Sequence, residues 1–476
     1  MHLTLENTLS ERTFLTFGGV ETHLAFSLSH RLRHFAAFEV FEAPEVWTRL
    51  QETFFEPIAH GALAHGHGVV TNALTWRAAP RYLAKLGYAP TDVKRMNAAA
   101  VAHTRRFVEG LPPLARGRVI LNAEIGPRDD GYTPGTCTPD EAQAYHAPQL
   151  AALTEAGVDV ISALTLTTLP EALGIARSAK RIGVPLLLSP TVEANGKLPD
   201  GSSLEALITT LDREAPPIAY MVNCAHPSHL SATFTRAQGA AWLKRMRGLR
   251  VNASPKSHAE LDNSGAAESE PPEALAQATV ALARLAGVRI FGGCCGTDAR
   301  HLAALARQTS SLAVQGDLAL PRDFTLRPYH SDDAPSLVDV FYDAVAAIDN
   351  AIYDQRAREA WAPFPRDILL WRDRLDRVAT WVVCRDTVPV GFASLAVTGE
   401  VEYLYVAPYA QRRGVARALL IQVVNAARHL GHRHLHTHAS HVARSTFKRS
   451  GFQTVRANAV VRHGVELTNW RMTLDL

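Results

Sequence analysis

From the start of the chain to residue 313, short apolar, β-branched runs alternate with longer stretches of helical period, and that alternation constrains the fold more than any other feature. The runs are TFLTF (13–17), GVVTN (68–72), RVILNAEI (118–125), DVISALTL (159–166), VPLLLSPTV (184–192), IAYMVNC (218–224), LRVNAS (249–254) and VRIFGGC (288–294). Eight such strands with helices between them are the count that closes a (β/α)8, or TIM, barrel, and a span of about 310 residues suits that α/β fold. The alternation then stops. LAVQGDLALPRD (312–323) has no sustained period, holds Gly316 and Pro321, and reads as a linker over 314–323 between a first domain, 1–313, and a second, 324–476. The second opens on FTLRPYHSDD, continues with helical segments carrying Trp361 and Trp371, and becomes a meander, TWVVCRD, VGFASLAV and VEYLYVAP, an α+β pattern that does not extend the barrel. Within the first domain, DNSGAAESEPPEAL (262–275) has the composition of a surface loop before the last helix.

Charge and targeting signals exclude several classes. A net charge of +3, with Lys and Arg scattered, argues against a nucleic-acid or membrane surface and leaves small molecules as the expected partners. MHLTLENTLSERTF lacks a basic region followed by an apolar run, and no segment approaches the roughly 18 apolar residues of a membrane helix, so the expected location is cytoplasmic. Nothing in the sequence sets an oligomeric state.

The chain owns five cysteines, Cys137, Cys224, Cys294, Cys295 and Cys384, too few and too scattered to suggest a disulfide framework. Barrel chemistry gathers at the C-terminal strand ends. Cys224 ends the sixth candidate strand and the pair Cys294–Cys295 ends the eighth, so three thiols can meet at one mouth. Adjacent side chains on a regular strand point to opposite faces; Gly292, Gly293 and Gly296 allow the strand to unwind so that both members of the pair turn inward. Three thiolates suit Zn2+ and leave a fourth position for substrate. The alternative use is as small buried apolar residues.

IAYMVNCAHP, LRVNASPKSHAELD and VRIFGGCCGTDARHL together resemble the homocysteine S-methyltransferase family, as do FGGVETHL, TWRAAP, NAEIGPRDDGY and SPTVEANGKLPDG, over about residues 12 to 311. The resemblance implies Cys224, Cys294 and Cys295 as zinc ligands, and methyl transfer from a sulfonium donor such as S-methylmethionine or S-adenosylmethionine to homocysteine or a related thiol. Two acids that anchor the substrate ammonium in that family are replaced here by Phe17 and Leu164. Glu21, Glu124 and Glu193, each at or near a predicted strand end, are the candidate replacements; the alternative is that they are solvated loop carboxylates. His226, His258 and His301 lie near the motifs and read as supporting residues rather than a fourth ligand.

In the second domain VEYLYVAPYAQRRGVARALLIQVVNAARHLG (401–431) passes from a strand through a glycine-containing turn into a helix. Backbone N–H groups at such a helix start, with Arg412 and Arg413 beside them, seat a pyrophosphate. With HLHTHAS and ARSTFKRSGFQ, the stretch 324–476 resembles the GNAT superfamily of N-acetyltransferases. That resemblance implies acetyl-CoA held by Val406, Gln411, Arg412, Arg413, Gly414, Val415 and Ala416, a small amine as acceptor, and Glu402 as catalytic base. A Tyr that commonly serves as general acid is replaced by Phe447; Tyr403 and Tyr405 are alternatives for acid or for packing. His434, His436 and His438 fall on one face of a strand and read as an exposed face rather than a metal site. Two further readings are an acetyltransferase with a vestigial or regulatory barrel, and a sensor of thiols and acyl-CoA without turnover.

Overall fold

The structure, a computed structural model, describes residues 2–257, 260, 269–312, 320–321 and 323–476. It forms two compact units, one running through Ala62 and from His67 to Thr309, the other taking in Leu63–Gly66 and the chain from Ser310 onward. Most of the expected linker and the 262–268 part of the expected loop lie outside the described residues, as does His258. PEAL (272–275), expected in that loop, is the first turn of the helix Pro272–Ala286, with a proline at its start where a missing N–H costs nothing.

The first unit holds nine parallel segments: β1 (Phe14–Thr16), β2 (Gly68–Val70), β3 (Val119–Ile120), β4 (Asn122–Ile125), β5 (Val160–Leu166), β6 (Leu186–Pro190), β7 (Ala219–Ala225), β8 (Met246–Val251) and β9 (Ile290–Gly293). Their order is β3-β2-β1-β9-β8-β7-β6-β5-β4. The two ends of that order are halves of one expected strand, parted at Leu121: β3 pairs with β2, and β4 pairs with β5. Nine segments therefore make an eight-stranded barrel. Side chains supply the ladder at the break. The Asp159 carboxylate accepts the Leu121 amide at 2.8 Å, and the Thr71 hydroxyl accepts the Asn122 amide at 2.9 Å.

The barrel interior changes character along its axis. Phe14, Val70, Ile120, Val160, Leu187, Ala219, Met221 and Ile290 pack in one apolar cluster. Two residues further along several strands, polar side chains take over and bond one another: Thr16 to Asn72 at 3.0 Å, Ser162 to Asn122 at 2.8 Å, and Ser189 to Asn223 at 2.8 Å. Buried polar groups persist only when bonded, so this upper layer is fixed in place beneath the mouth.

The second unit carries an antiparallel sheet of β10 (Phe324–Pro328), β11 (Ala379–Arg385), β12 (Val388–Leu395) and β13 (Leu404–Val406), and a second sheet of β14 (His434–Ala439), β15 (Gln453–Arg462) and β16 (Val465–Asp475). The sheets meet at a bridge between Glu400 and His436, where the Val401 amide donates to the His436 carbonyl at 2.8 Å. Beyond it no ladder joins β13 to β14 among the described residues, so a gap opens between them. The helix Val415–His429 buries Val415, Leu419, Leu420 and Val423 in a cluster with Trp381, Val383 and Leu395. Among the described residues no helix is long and apolar enough to cross a membrane.

Candidate functional sites

Cys224 sits next to last in β7 at a φ of +54°, and a bulge between Asn223 and Ala225 breaks the pairing with β8 there. Asn223 holds this strained end. Its Nδ2 donates to Cys224 Sγ at 3.3 Å and to Thr165 Oγ1 at 2.8 Å, while its Oδ1 accepts from the Thr165 amide and the Ser189 hydroxyl, each at 2.8 Å. Cys294 and Cys295 follow β9 directly. The Cys294 amide donates to Val251 O at 2.8 Å, the Cys295 carbonyl accepts from Ala253 at 3.0 Å, and the Cys294 carbonyl accepts from the Thr297 hydroxyl at 2.7 Å. The glycines divide the work. Gly296 turns the chain at a φ of +77°, whereas Gly292 and Gly293 stay in the strand, where a Cβ would collide with Thr16 and Thr297.

The three Sγ atoms lie within 4.8 Å of one another, and Cys224 and Cys294 are in disulfide contact. A single pair is no framework, but it joins two of the three expected ligands. Thiols gathered for a metal are also placed for a bond, and the two uses exclude each other because a disulfide sulfur carries no thiolate. In the reduced state the set fits zinc: bonds of about 2.3 Å at tetrahedral angles put sulfurs about 3.8 Å apart. The Tyr132 hydroxyl stands 3.5 Å from Cys295 Sγ.

Gly19 packs against this turn, and a Cβ there would stand 2.5 Å from the Cys294 carbonyl oxygen. Gly19→Ala is expected to displace the Cys294–Thr297 turn and weaken zinc binding by about 10- to 100-fold, the cost typical of disturbing a ligand's support, with secondary structure unchanged. Chelator competition read beside circular dichroism measures both.

Two of the three histidines, His226 and His301, cap helices. His226 accepts the Ser228 amide at the start of the helix Pro227–Arg236, and its Nε2 is 3.4 Å from Glu270. His301 bonds Asp298 at 2.8 Å, capping the helix Ala299–Gln308.

Of the three candidate acids, two reach the barrel interior. Glu124 on β4 pairs with Arg250 on β8 at 2.5 Å, both side chains 7% exposed. β5, β6 and β7 separate these strands on one side of the ring, so the guanidinium crosses the interior. It also donates to Gly293 O at 3.4 Å, just before the cysteine pair. Glu21 lies in the short helix Val20–Thr22, and its carboxyl is pushed up to about 7 by burial and then by the Glu124 charge, against its own backbone hydrogen bond and the charges of Arg250 and Arg77. Glu193 occupies the loop after β6, its amide bonded to Lys197 O at 2.9 Å.

Phe17 shows why the interior needs other acids. Thr16 faces inward, and Phe17 turns to the helix layer, its ring 4.7 Å from Phe55 and 6.4 Å from Phe107. A carboxylate on that side would sit in an aromatic cluster. Leu164, 4% exposed, follows Val160 and Ser162 on the inner face. Arg250 and Arg77 escaped the reading of the sequence. The signal for Arg250 was there: opposite charges on two barrel strands, each too costly to bury alone.

In the second unit Glu402 is exposed and precedes β13 rather than lying in it. Gly414 starts the helix Val415–His429 at a φ of +88° with no side-chain cap, and Arg412 has a φ of +61°. Left-handed residues on either side of Arg413 curl the backbone into a concavity that suits an anion. Gln411 Nε2 donates to Val406 O at 3.2 Å, closing the turn, while Arg413 lies 4.7 Å over the Phe324 ring and 3.4 Å from Asp323. Val406 and Val415 are buried beneath it, Arg412 is exposed, and Ala416 is half-buried. Phe447 is a core residue, 2% exposed and 5.1 Å from Phe452. Tyr403 is pushed up to about 12 by burial and then by Glu402, and Tyr405 accepts a hydrogen bond from Trp361 Nε1 at 3.2 Å. His434 and His438 bond Asp475 and Glu400 at 2.5 and 3.2 Å on the exposed face of β14. Among the described residues only the three thiols form a group that could hold a metal.

Comparisons with known proteins find relatives for each of the two units. Residues 15–309 match the family described as homocysteine S-methyltransferase, and residues 352–474 match the acetyltransferase (GNAT) domain. An uncharacterized N-acetyltransferase of Escherichia coli, YafP, is 33% identical over 147 residues, 31% of this chain and 93% of that protein. The homocysteine S-methyltransferase YbgG of Bacillus subtilis is 26% identical over 212 residues, 42% of this chain and 64% of that protein, just under two thirds of its length. The crystal structure of the Escherichia coli homocysteine methyltransferase MmuM in its metallated form matches 64% of this chain and 99% of its own at a TM-score of 0.51 and 19% identity, a likeness of fold.

Proposed function

The chain belongs to the homocysteine S-methyltransferase family over residues 15–309 and carries a GNAT acetyltransferase domain over 352–474, and from these two transferase domains we propose two activities. The barrel moves a methyl group from a sulfonium donor, S-methylmethionine or S-adenosylmethionine, to homocysteine or a related thiol, with zinc held by Cys224, Cys294 and Cys295. The second domain binds acetyl-CoA over Val406 and the turn Gln411–Ala416 and acetylates a small amine.

The observation that carries the barrel reading is the gathering of three sulfurs from two strand ends within 4.8 Å. Zinc, when bound, stabilises the substrate thiol as thiolate at neutral pH. The chain's own residues then orient. Asn223 fixes Cys224 through its sulfur contact, the Cys294–Thr297 turn fixes the other two sulfurs, and Glu21 in ionised form takes the substrate's ammonium. Transfer breaks the donor's sulfur–methyl bond, whose electron pair stays on the donor as a thioether, and forms a sulfur–methyl bond on the acceptor, whose proton goes to solvent. Holding the two sulfurs in line is the main service of such a site.

Glu21 gives the pH dependence. Its carboxyl ionises near 7, so below that pH a bound ammonium must expel a proton from Glu21 in addition to the one the thiol loses at zinc, and the fall in homocysteine affinity is expected to steepen from about tenfold to about 100-fold per pH unit as pH drops below 7. Above 7 only the thiol proton sets the slope. Calorimetric titration between pH 5.5 and 8 reads the change of slope; a slope that does not steepen below 7 argues against Glu21 as the anchor.

The direct test is metal analysis of purified, reduced protein together with mass spectrometry of thiols incubated with each sulfonium donor. Zinc near one ion per chain and a methylated thiol support the barrel reading, while metal-free protein with no transfer removes it. Calorimetry with acetyl-CoA tests the second domain in the same preparation.

A further inference from the structure

We propose that Tyr132 is a positioning residue of the metal centre: its hydroxyl donates a hydrogen bond to the Cys295 thiolate, draws negative charge from that sulfur and holds it toward the metal. This rests on the reading above that zinc is held by Cys224, Cys294 and Cys295.

The contact joins two distant parts of the chain. Tyr132 Oη stands 3.5 Å from Cys295 Sγ, 163 residues away in sequence. A thiolate on a metal carries no proton, so the hydroxyl is the donor there. Cys224 is served in the same way at the other strand end, where Asn223 Nδ2 donates to its sulfur at 3.3 Å. Charge explains the need for such donors. Three thiolates outweigh a divalent ion, and a substrate thiolate in the fourth position adds to the excess. A sulfur that shares its charge with a hydrogen bond gives less of it to the zinc, which leaves the metal better able to stabilise that fourth thiolate.

The loop that carries Tyr132 is fixed along its length. It leaves β4 against the Trp76 ring: the Gly126 amide donates to Trp76 O at 3.0 Å, and a Cβ at Gly126 would stand 2.6 Å from Trp76 Nε1. Arg77, only 5% exposed, donates from Nη1 to Pro127 O at 3.1 Å and to Asp129 O at 3.0 Å. The exposed Asp130 then closes the turn, its Oδ1 accepting the Tyr132 amide at 2.8 Å and the Thr133 amide at 3.0 Å. A buried arginine and a side-chain turn therefore set the backbone on either side of one tyrosine whose hydroxyl meets a metal-binding sulfur. A tyrosine that only packed would need the ring and not the hydroxyl.

The test reads the metal rather than turnover. Reduced, full-length protein loaded with Co2+ absorbs through thiolate-to-cobalt charge transfer, and the energy of that band reports how tightly the sulfurs hold their electrons. Tyr132→Phe keeps the ring and removes the donor. In that variant the band is expected to move to longer wavelength, and zinc affinity by chelator competition to fall about tenfold, the lower end for loss of a ligand's partner. Asp130→Ala frees the amide that places Tyr132 and moves the band the same way by less, whereas Asp130→Asn keeps the accepting oxygen and the natural spectrum. A packing role moves neither reading, because phenylalanine fills the same space, and circular dichroism checks that each variant folds. An unmoved band in Tyr132→Phe, with zinc affinity within about twofold of the natural protein, overturns the proposal. Failure of the zinc reading looks different: the natural protein itself then takes up Co2+ without a thiolate band, or takes up none.

Discussion

Cys295→Ser is expected to abolish stoichiometric zinc and to slow methyl transfer by about 1,000-fold, the rate equivalent of several kcal/mol of metal-derived stabilisation. Cys295 is the most informative of the three ligands to change because it stands outside the Cys224–Cys294 contact and is only half-buried. Its backbone carbonyl accepts from Ala253 at 3.0 Å, and a serine keeps that bond. The substitution exchanges one sulfur for one oxygen in a turn shaped by Gly296, so the barrel is expected to fold and melt as before. A serine hydroxyl is a poor zinc ligand at neutral pH because it does not ionise there, and two thiolates alone leave the metal to solvent and chelator. Metal analysis after dialysis against a weak chelator gives the first reading, and the rate with homocysteine and a sulfonium donor the second. Full zinc and an unchanged rate would show that Cys295 is not a zinc ligand and that transfer does not depend on its sulfur.

How much of this was legible in the sequence follows from which features are local. The barrel was readable because each strand announces itself through its own apolar, β-branched run. Its errors were local too. The third strand splits because Asp159 and Thr71 take over the ladder bonds around Leu121, which no count of apolar residues reveals. β8 starts three residues before its expected start, at Met246 rather than 249, because pairing with β7 extends through a stretch, MRG, that lacks a strand-forming signature. The thiols were legible because cysteine identity and strand-end position are both properties of a few adjacent residues. The Arg250–Glu124 pair was not, since facing across a barrel depends on ring closure rather than on any neighbouring residue. In the second unit, VEYLYVAP read as one strand, yet pairing with β12 covers only Leu404–Val406. The residues before it are held by single bonds, such as the Tyr403 amide to Ser394 Oγ at 3.2 Å. Glu402 lies in that irregular stretch.

That placement makes Glu402→Gln the sharpest test of the second domain. Glu402 stands between the Glu400–His436 bridge, where the two sheets meet, and β13, where they part, so in the proposed acetyltransferase its place in the chain is beside the gap between the sheets. An attacking ammonium must lose a proton, and a positioned carboxylate, working through water, contributes about 100- to 10,000-fold to such a step. Glutamine preserves shape and hydrogen bonding but accepts no proton at neutral pH, so kcat for acetyl transfer is expected to fall by about that factor. Affinity for acetyl-CoA is expected to hold, because the turn from Gln411 to Ala416 is untouched. The pH profile adds an independent signature. The Glu402 carboxyl is raised by the loss of solvent around it and then by the Glu400 charge, against Arg374 and Arg377, and its exposure limits how far these act. A base must be ionised to work, so activity is lost as pH falls through a value above the ordinary glutamate range, and that acidic limb disappears in the variant. If kcat stays within threefold of the natural protein and the limb persists, proton removal belongs to solvent or to another side chain, and Glu402 serves only to attract a cationic acceptor to the opening.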